Sequence, residues 1–235
     1  VRVGDVVVKK GAVVTADLAA ALVSAGVESI VTARLDPGDV PEDEAARRLA
    51  AGLAGAHVRV ERPFTGRANL FAETAGVLLI DAAAIEAANT ADEAITAATL
   101  RPFAPVVEGE MVGTVKIIPY GVPATLVDAA CEAAGRAALA VAPYRRRRVA
   151  VVSTLLPGLK ASVVDKTLRV LAGRLEPTGA AISADLRVHH DTAALCDAFD
   201  GLTASVCDLV VVFGASAVAD RRDVVPAAIE ASGGR

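Results

Sequence analysis

The chain has 235 residues, a hydrophobic fraction of 54% and a formal net charge of -4, which is enough apolar material for one large domain or two modest ones. That charge balance excludes a global basic surface of the kind that captures nucleic acid or an anionic membrane, and 3% aromatics with no Trp excludes base stacking as a main mode. Cys131, Cys196 and Cys207 are scattered and odd in number, as expected of reduced core thiols rather than disulfides or a zinc site.

In chain order, Val3 to Val8 reads as a strand bounded by turns. Thr15 or Asp17 starts a helix through Leu18, Leu22 and Val23 that Gly26 ends, and a β-branched run follows at Val27 to Thr32. Asp36-Pro37-Gly38-Asp39 is a turn leading into a helix from Pro41 to about Leu53, whose first residues are acidic. Val58 to Glu61, Val77 to Ile80, Phe103 to Val107 and Met111 to Ile118 are strands, the last two joined as a hairpin through Glu108-Gly109-Glu110. An Ala-rich helix spans Val127 to Leu139, and Pro143 with Arg145 to Arg148 marks a boundary, the Arg run being read as solvated linker. Residues 1–144 are therefore an α+β domain and 145–235 an α/β domain.

Beyond the boundary the pattern is regular. Val149 to Thr154 is an apolar strand, and Ser162 with Asp165 forms an acidic capping box ahead of a helical face of Val163, Val164, Thr167, Leu168 and Leu171. Strands at Ala181 to Val188 and Val206 to Phe213 follow, with a helix after Asp191 between them. Strand, helix, strand, helix, strand with short connections predicts a parallel sheet with right-handed crossovers.

In such a sheet ligands bind beyond the carboxyl ends of the strands, so Thr154 to Lys160, His189 to Asp191 and Gly214 to Asp223 should share one edge. Gly158, Gly214, Ala215 and Ser216 would let backbone amides approach a phosphate, with Lys160, Arg221 and Arg222 as compensating charge. Asp191, Asp220 and Asp223 suit a hydrated magnesium ion bridging phosphate oxygens; alternatively Asp191 and Asp223 cap the helices that follow them. His189 and His190 are read as exposed loop residues. In the amino half, Thr65-Gly66-Arg67 is read as a tight turn with a solvated Arg67, the alternative being an oxyanion contact.

The run Gly214-Ala215-Ser216-Ala217-Val218-Ala219-Asp220-Arg221-Arg222-Asp223-Val224-Val225-Pro226 resembles the glycine/serine loop and acidic pair of the molybdopterin-binding domain shared by molybdopterin molybdotransferases and molybdopterin adenylyltransferases. Leu155 to Lys160 sits where those domains place their first ligand loop. Gly38-Asp39-Val40, Thr65 to Leu70 and Thr114 to Pro119 extend the similarity into the amino half, toward bacterial proteins related to the molybdotransferases. The chain departs from the pattern at Ala215, where the family has a second glycine, at Arg221-Arg222, which lengthens the spacing before Asp223, and at Leu155, where molybdotransferases carry Gly-Asp-Glu.

The resemblance implies a three-layer molybdopterin-binding fold, incomplete at its C-terminus because the chain stops at Arg235 ahead of the family's Pro-Gly-rich segment. It implies a role in molybdenum-cofactor biosynthesis with molybdopterin as ligand, adenylated or molybdenum-loaded, and Mg2+ as ion. Asp220 and Asp223 would be catalytic and metal-binding; Thr154, Gly158, Lys160, Asp191, Gly214, Ala215, Ser216, Arg221 and Arg222 would contact the cofactor. Molybdate insertion with cleavage of adenylated molybdopterin is the enzymatic reading. A non-catalytic carrier or regulatory binding module is the alternative, and a nucleotide-processing hydrolase built on the same domain a third. The expected partners are the pterin, a second copy of the chain as a dimer, and other cofactor-biosynthesis proteins or molybdoenzymes; no nucleic acid or membrane is expected. The chain shows no signal-peptide pattern at its start, so the expected location is the cytoplasm.

Overall fold

The computed structural model describes residues 2–3, 6–9, 11–202 and 205–234. The chain divides into two compact units, Val1–Ala142 and Pro143–Arg235.

The first unit opens with β1 (Arg2–Val3) and β2 (Val6–Val7), two short strands paired antiparallel in place of one continuous strand. Helix α1 (Ala16–Ser24) is capped by Thr15, whose Oγ1 accepts the Leu18 amide at 3.2 Å. The β-branched run at Val27 to Thr32 forms no strand.

Next come β3 (Asp39–Pro41), α2 (Glu42–Leu53), β4 (Val58–Val60), β5 (Arg67–Ala72), β6 (Gly76–Ile80), α3 (Ala82–Ala91), β7 (Ile95–Thr99), β8 (Pro105–Val106), β9 (Met111–Ile117), β10 (Gly121–Pro123), α4 (Ala124–Ala134) and β11 (Leu139–Pro143). Strands β4, β5, β9 and β7, in that order, form an antiparallel sheet. Alternation puts Ala68 and Leu70 of β5 on its buried face with Val115 and Ile117 of β9, in one core with Leu49 and Leu53 of α2. Each Leu, Ile or Val among them contributes about 1.5–3 kcal/mol by leaving water.

Further expectations for this unit are corrected. Gly109 does make a turn at φ +80, but β8 pairs with β6 while β9 joins the four-stranded sheet, so the two do not form a hairpin. The Ala-rich helix stops at Ala134, because Gly135 at φ +65 breaks it, and Leu139 starts β11 instead. Arg67 likewise begins β5, which composition alone did not reveal.

In the second unit β12 (Arg148–Leu155), α5 (Ala161–Leu175), a 3-10 turn at Glu176–Thr178, β13 (Ala181–His189), α6 (Thr192–Asp200), β14 (Leu209–Phe213) and α7 (Val224–Ala231) follow in turn. The sheet runs β13-β12-β14 and is parallel throughout. Side chains of β12 alternate between two cores. Val149 and Val151 pack with Leu168, Leu171 and Leu175 of α5, whereas Val152 packs with Leu195 and Ala198 of α6 and Ala228 of α7. Helices therefore cover opposite faces of the sheet.

A register shift between Val149 and Ala150 leaves one extra residue on β13. That shift lets Ile182 face α5 while Leu186, of the same parity, faces α6.

Helix α5 starts two residues earlier than predicted: Lys160 is its N-cap, no side chain caps it, and Ser162 lies inside the first turn. The third strand starts at Leu209 rather than Val206, since Asp208 is committed to Arg148. The Arg run is not merely solvated. Arg147 donates to the Thr178 carbonyl and Arg148 to the Ser205 carbonyl, fastening the amino end of β12 to its neighbours. Cys131, Cys196 and Cys207 are free thiols, the last of them buried. Among the described residues no helix is long and apolar enough to cross a membrane.

Candidate functional site

Parallel pairing sets Thr154 opposite Val188 and Ser153 opposite Phe213, so β12, β13 and β14 end side by side on one edge. The three segments that leave this edge are those the sequence nominates. Thr154, only 2% exposed, is the hub of the rim. Its Oγ1 accepts the Ala215 amide at 2.8 Å, stands 2.8 Å from His190 Nδ1, and lies 3.4 Å from the Phe213 carbonyl oxygen. On the other side of the imidazole, His190 Nε2 is 2.9 Å from Ser216 Oγ. A continuous chain of polar contacts thus ties the ends of all three strands together.

His190 is the residue that sequence reasoning placed wrongly. It is half-buried, its amide donates to the Leu155 carbonyl at 3.1 Å, and both ring nitrogens are engaged. His189 beside it is exposed. No linear signal distinguishes the two, because the partners of His190 lie on the other two loops.

The acidic residues are occupied differently. Asp191 is the N-cap of α6, its Oδ1 accepting the Ala194 amide at 2.9 Å. Asp223 is the N-cap of α7 in position, but its Oδ2 turns back to accept the amides of Ala219 at 2.5 Å and Asp220 at 2.9 Å. Asp220 faces Arg222: Oδ1 accepts the Arg222 amide at 2.6 Å and Oδ2 accepts Nη2 at 3.0 Å. The Arg222 side chain, and secondarily its amide, holds the Asp220 carboxyl below its ordinary value. Arg221 pairs with Glu230 at 2.8 Å.

These bonds shorten the 214–223 loop on itself and use most of its charge internally. As they sit, the carboxylates do not fit a magnesium ion held mainly by protein: both Asp220 oxygens and one each of Asp191 and Asp223 are committed, and among the described residues no group of three or more His, Cys, Asp or Glu could hold a metal.

What stays uncommitted is donor capacity. The amides of Ser216, Ala217 and Val218 make no hydrogen bond among the described residues, and Lys160 has no ion pair there. Gly158, at φ +88 with open space around it, turns the chain into the Lys160 end of α5. A cleft of about 220 Å³ lies along α5, lined by Lys166, Val170, Leu171, Arg174 and Phe213. It sits on the helical face rather than over the rim, and the rim's polar convergence is the stronger indicator of a site.

In the first unit, Thr65, Arg67, Lys116 and Tyr120 line a cleft of about 380 Å³ together with Glu42. Arg67 stands directly across from Lys116 in the β5–β9 ladder. The expected turn is present, with Thr65 at φ 51 and Gly66 at φ 71.

No protein-family model matches this chain, and no curated protein matches its sequence.

Proposed function

We propose that the second unit binds a phosphate-bearing small molecule on the rim above β13-β12-β14, and that molybdopterin is its ligand. The observation that carries the first half is the run of uncommitted amides at Ser216, Ala217 and Val218, held in place by Ala215 on Thr154 and by Ser216 on His190. Successive bare amides at a strand-to-helix loop suit an anion, and Gly158 and Lys160 on the adjoining loop add close approach and charge. The pterin assignment rests on the sequence resemblance of Gly214 to Pro226.

Between the two roles that the resemblance allows, the donor set favours binding without metal-assisted cleavage, because Asp220 and Asp223 are turned inward. A carrier or regulatory module of molybdenum-cofactor biosynthesis, located in the cytoplasm and acting as a dimer with cofactor-biosynthesis enzymes or molybdoenzymes, is the reading we adopt.

Titrating the protein with molybdopterin and with its adenylated form, in the presence of magnesium and molybdate, tests this directly. Saturable binding that Lys160→Ala weakens, with no AMP released, is the expected result. AMP release would replace the carrier by a molybdotransferase, and absence of pterin affinity would reject the proposal.

A further inference from the structure

Beyond holding the 214–218 loop in place, the contacts that converge on His190 join an exposed hydroxyl to an imidazole engaged at both ring nitrogens. Ser216 Oγ is 2.9 Å from Nε2, the opposite ring nitrogen is 2.8 Å from a buried hydroxyl, and Ser216 is exposed. We propose that Ser216 is a nucleophile, His190 its general base and Thr154 the group that positions the base, forming a site for acyl transfer from small carboxylic esters. This inference does not rest on the pterin assignment, and it uses the same rim amides with an ester in place of the phosphate.

The hydrogen-bond arithmetic accommodates the required tautomer. Thr154 Oγ1 already accepts the Ala215 amide. If it also accepts Nδ1–H, its own proton goes to the Phe213 carbonyl at 3.4 Å and Nε2 is left to accept from Ser216. Each of the four contacts then has one donor and one acceptor, and the serine proton points at the base. The opposite tautomer leaves the Thr154–Phe213 contact without a proton.

Attack by Ser216 Oγ on the ester carbonyl carbon forms the new C–O bond while the hydroxyl proton passes to His190 Nε2. Collapse breaks the ester C–O bond, and the imidazolium returns that proton to the departing alcohol. Water then attacks the acyl-serine with His190 again as base, releasing the carboxylic acid and restoring Ser216. The uncommitted amides of Ser216 and Ala217 are the donors nearest in sequence to the developing oxyanion. Thr154 orients the ring but brings no charge to the imidazolium, so turnover is slow by the standard of a carboxylate triad.

The test is phosphonylation by a fluorophosphonate, located by peptide mass spectrometry, together with hydrolysis of p-nitrophenyl acetate. Label on Ser216 is expected, with hydrolysis falling by about 100-fold or more in Ser216→Ala and His190→Gln, the scale of general-base catalysis. Ser216→Cys should form an acyl-thioester of the correct mass. Thr154→Val should lower kcat with KM little changed, and Thr154→Ser should restore it, which a purely structural role would not produce. Label confined to other residues, or equal hydrolysis by wild type and a folded Ser216→Ala, overturns the assignment.

Discussion

Arg148 and Asp208 close the amino end of the parallel sheet: Arg148 Nη2 donates to Asp208 Oδ1 at 2.8 Å, while the amides of Arg147 and Arg148 donate to Asp208 Oδ2 at 3.0 and 2.9 Å. The arrangement fastens the entry to β14 against the first residue of β12 and leaves the opposite edge for the rim loops.

The Arg148 side chain first, and then the two amides, holds the Asp208 carboxyl well below the usual carboxylate range. A depressed folded-state value stabilises the fold fully above the unfolded value, about 3.9 for Asp, and that contribution is lost as pH falls through it toward the folded value. Asp208→Asn should therefore lower Tm at neutral pH and by less at about pH 2. A deficit independent of pH across that window would show that packing, and not the carboxylate, is responsible.

Charge on α2 should matter far less than its apolar face. Glu44 accepts from Arg47 at both oxygens at 2.8 Å and from Arg48 Nε at 2.8 Å, and these partners, Arg47 foremost, lower its carboxyl to about 2. Exposed helical pairs contribute only about 0.3–0.5 kcal/mol each. Leu49 on the same helix is 1% exposed, and its truncation to Ala costs about 2–5 kcal/mol. In urea titrations Glu44→Gln should cost at most about 1 kcal/mol and become silent in about 1 M salt, whereas the cost of Leu49→Ala should persist.

Gly66 and Gly109 separate two costs of adding a methyl group. Both have positive φ, +71 and +80, but a Cβ on Gly66 would lie 2.7 Å from the Ile117 carbonyl oxygen, whereas one on Gly109 meets nothing within 4 Å. Gly109→Ala should cost about 1–2 kcal/mol for the left-handed backbone alone. Gly66→Ala should cost clearly more, since the Ile117 amide also bonds the Gly66 carbonyl at 2.7 Å and cannot retreat freely. Equal losses in chemical denaturation would contradict this.

Asn89 serves as the missing neighbour of an edge strand. From α3 its Oδ1 accepts the Ala97 amide at 2.6 Å and its Nδ2 donates to the Ala97 carbonyl at 3.0 Å, on the side of β7 away from β9. Asn89→Ala should destabilise the unit by about 1–3 kcal/mol and speed hydrogen exchange at the Ala97 amide selectively. Unchanged exchange there would show that the pairing is not kept in solution.

The strands of the second unit were legible because their signals are local. Val149 to Thr154 is unbroken apolar chain, and the β-α-β-α-β order compels parallel neighbours whose ends share an edge. In the first unit the same reading misjudged what Glu108-Gly109-Glu110 joins, since a turn sequence specifies a reversal and not the sheet each strand enters afterwards. Leu139 was misread for a similar reason: an Ala-rich run favours helix until Gly135 interrupts it.

By itself the sequence determined the α/β order, the break near Pro143 and the three loops from which a site could be built, because these follow from periodicity and chain connectivity. Only tertiary structure decided what the loops do with their side chains. Thr154 and His190 are 36 residues apart, and Thr154 and Ala215 are 61 apart. The hydrogen bonds that make His190 the centre of the rim, and that turn Asp220 and Asp223 inward, depend on distances of a few ångströms that linear order does not contain.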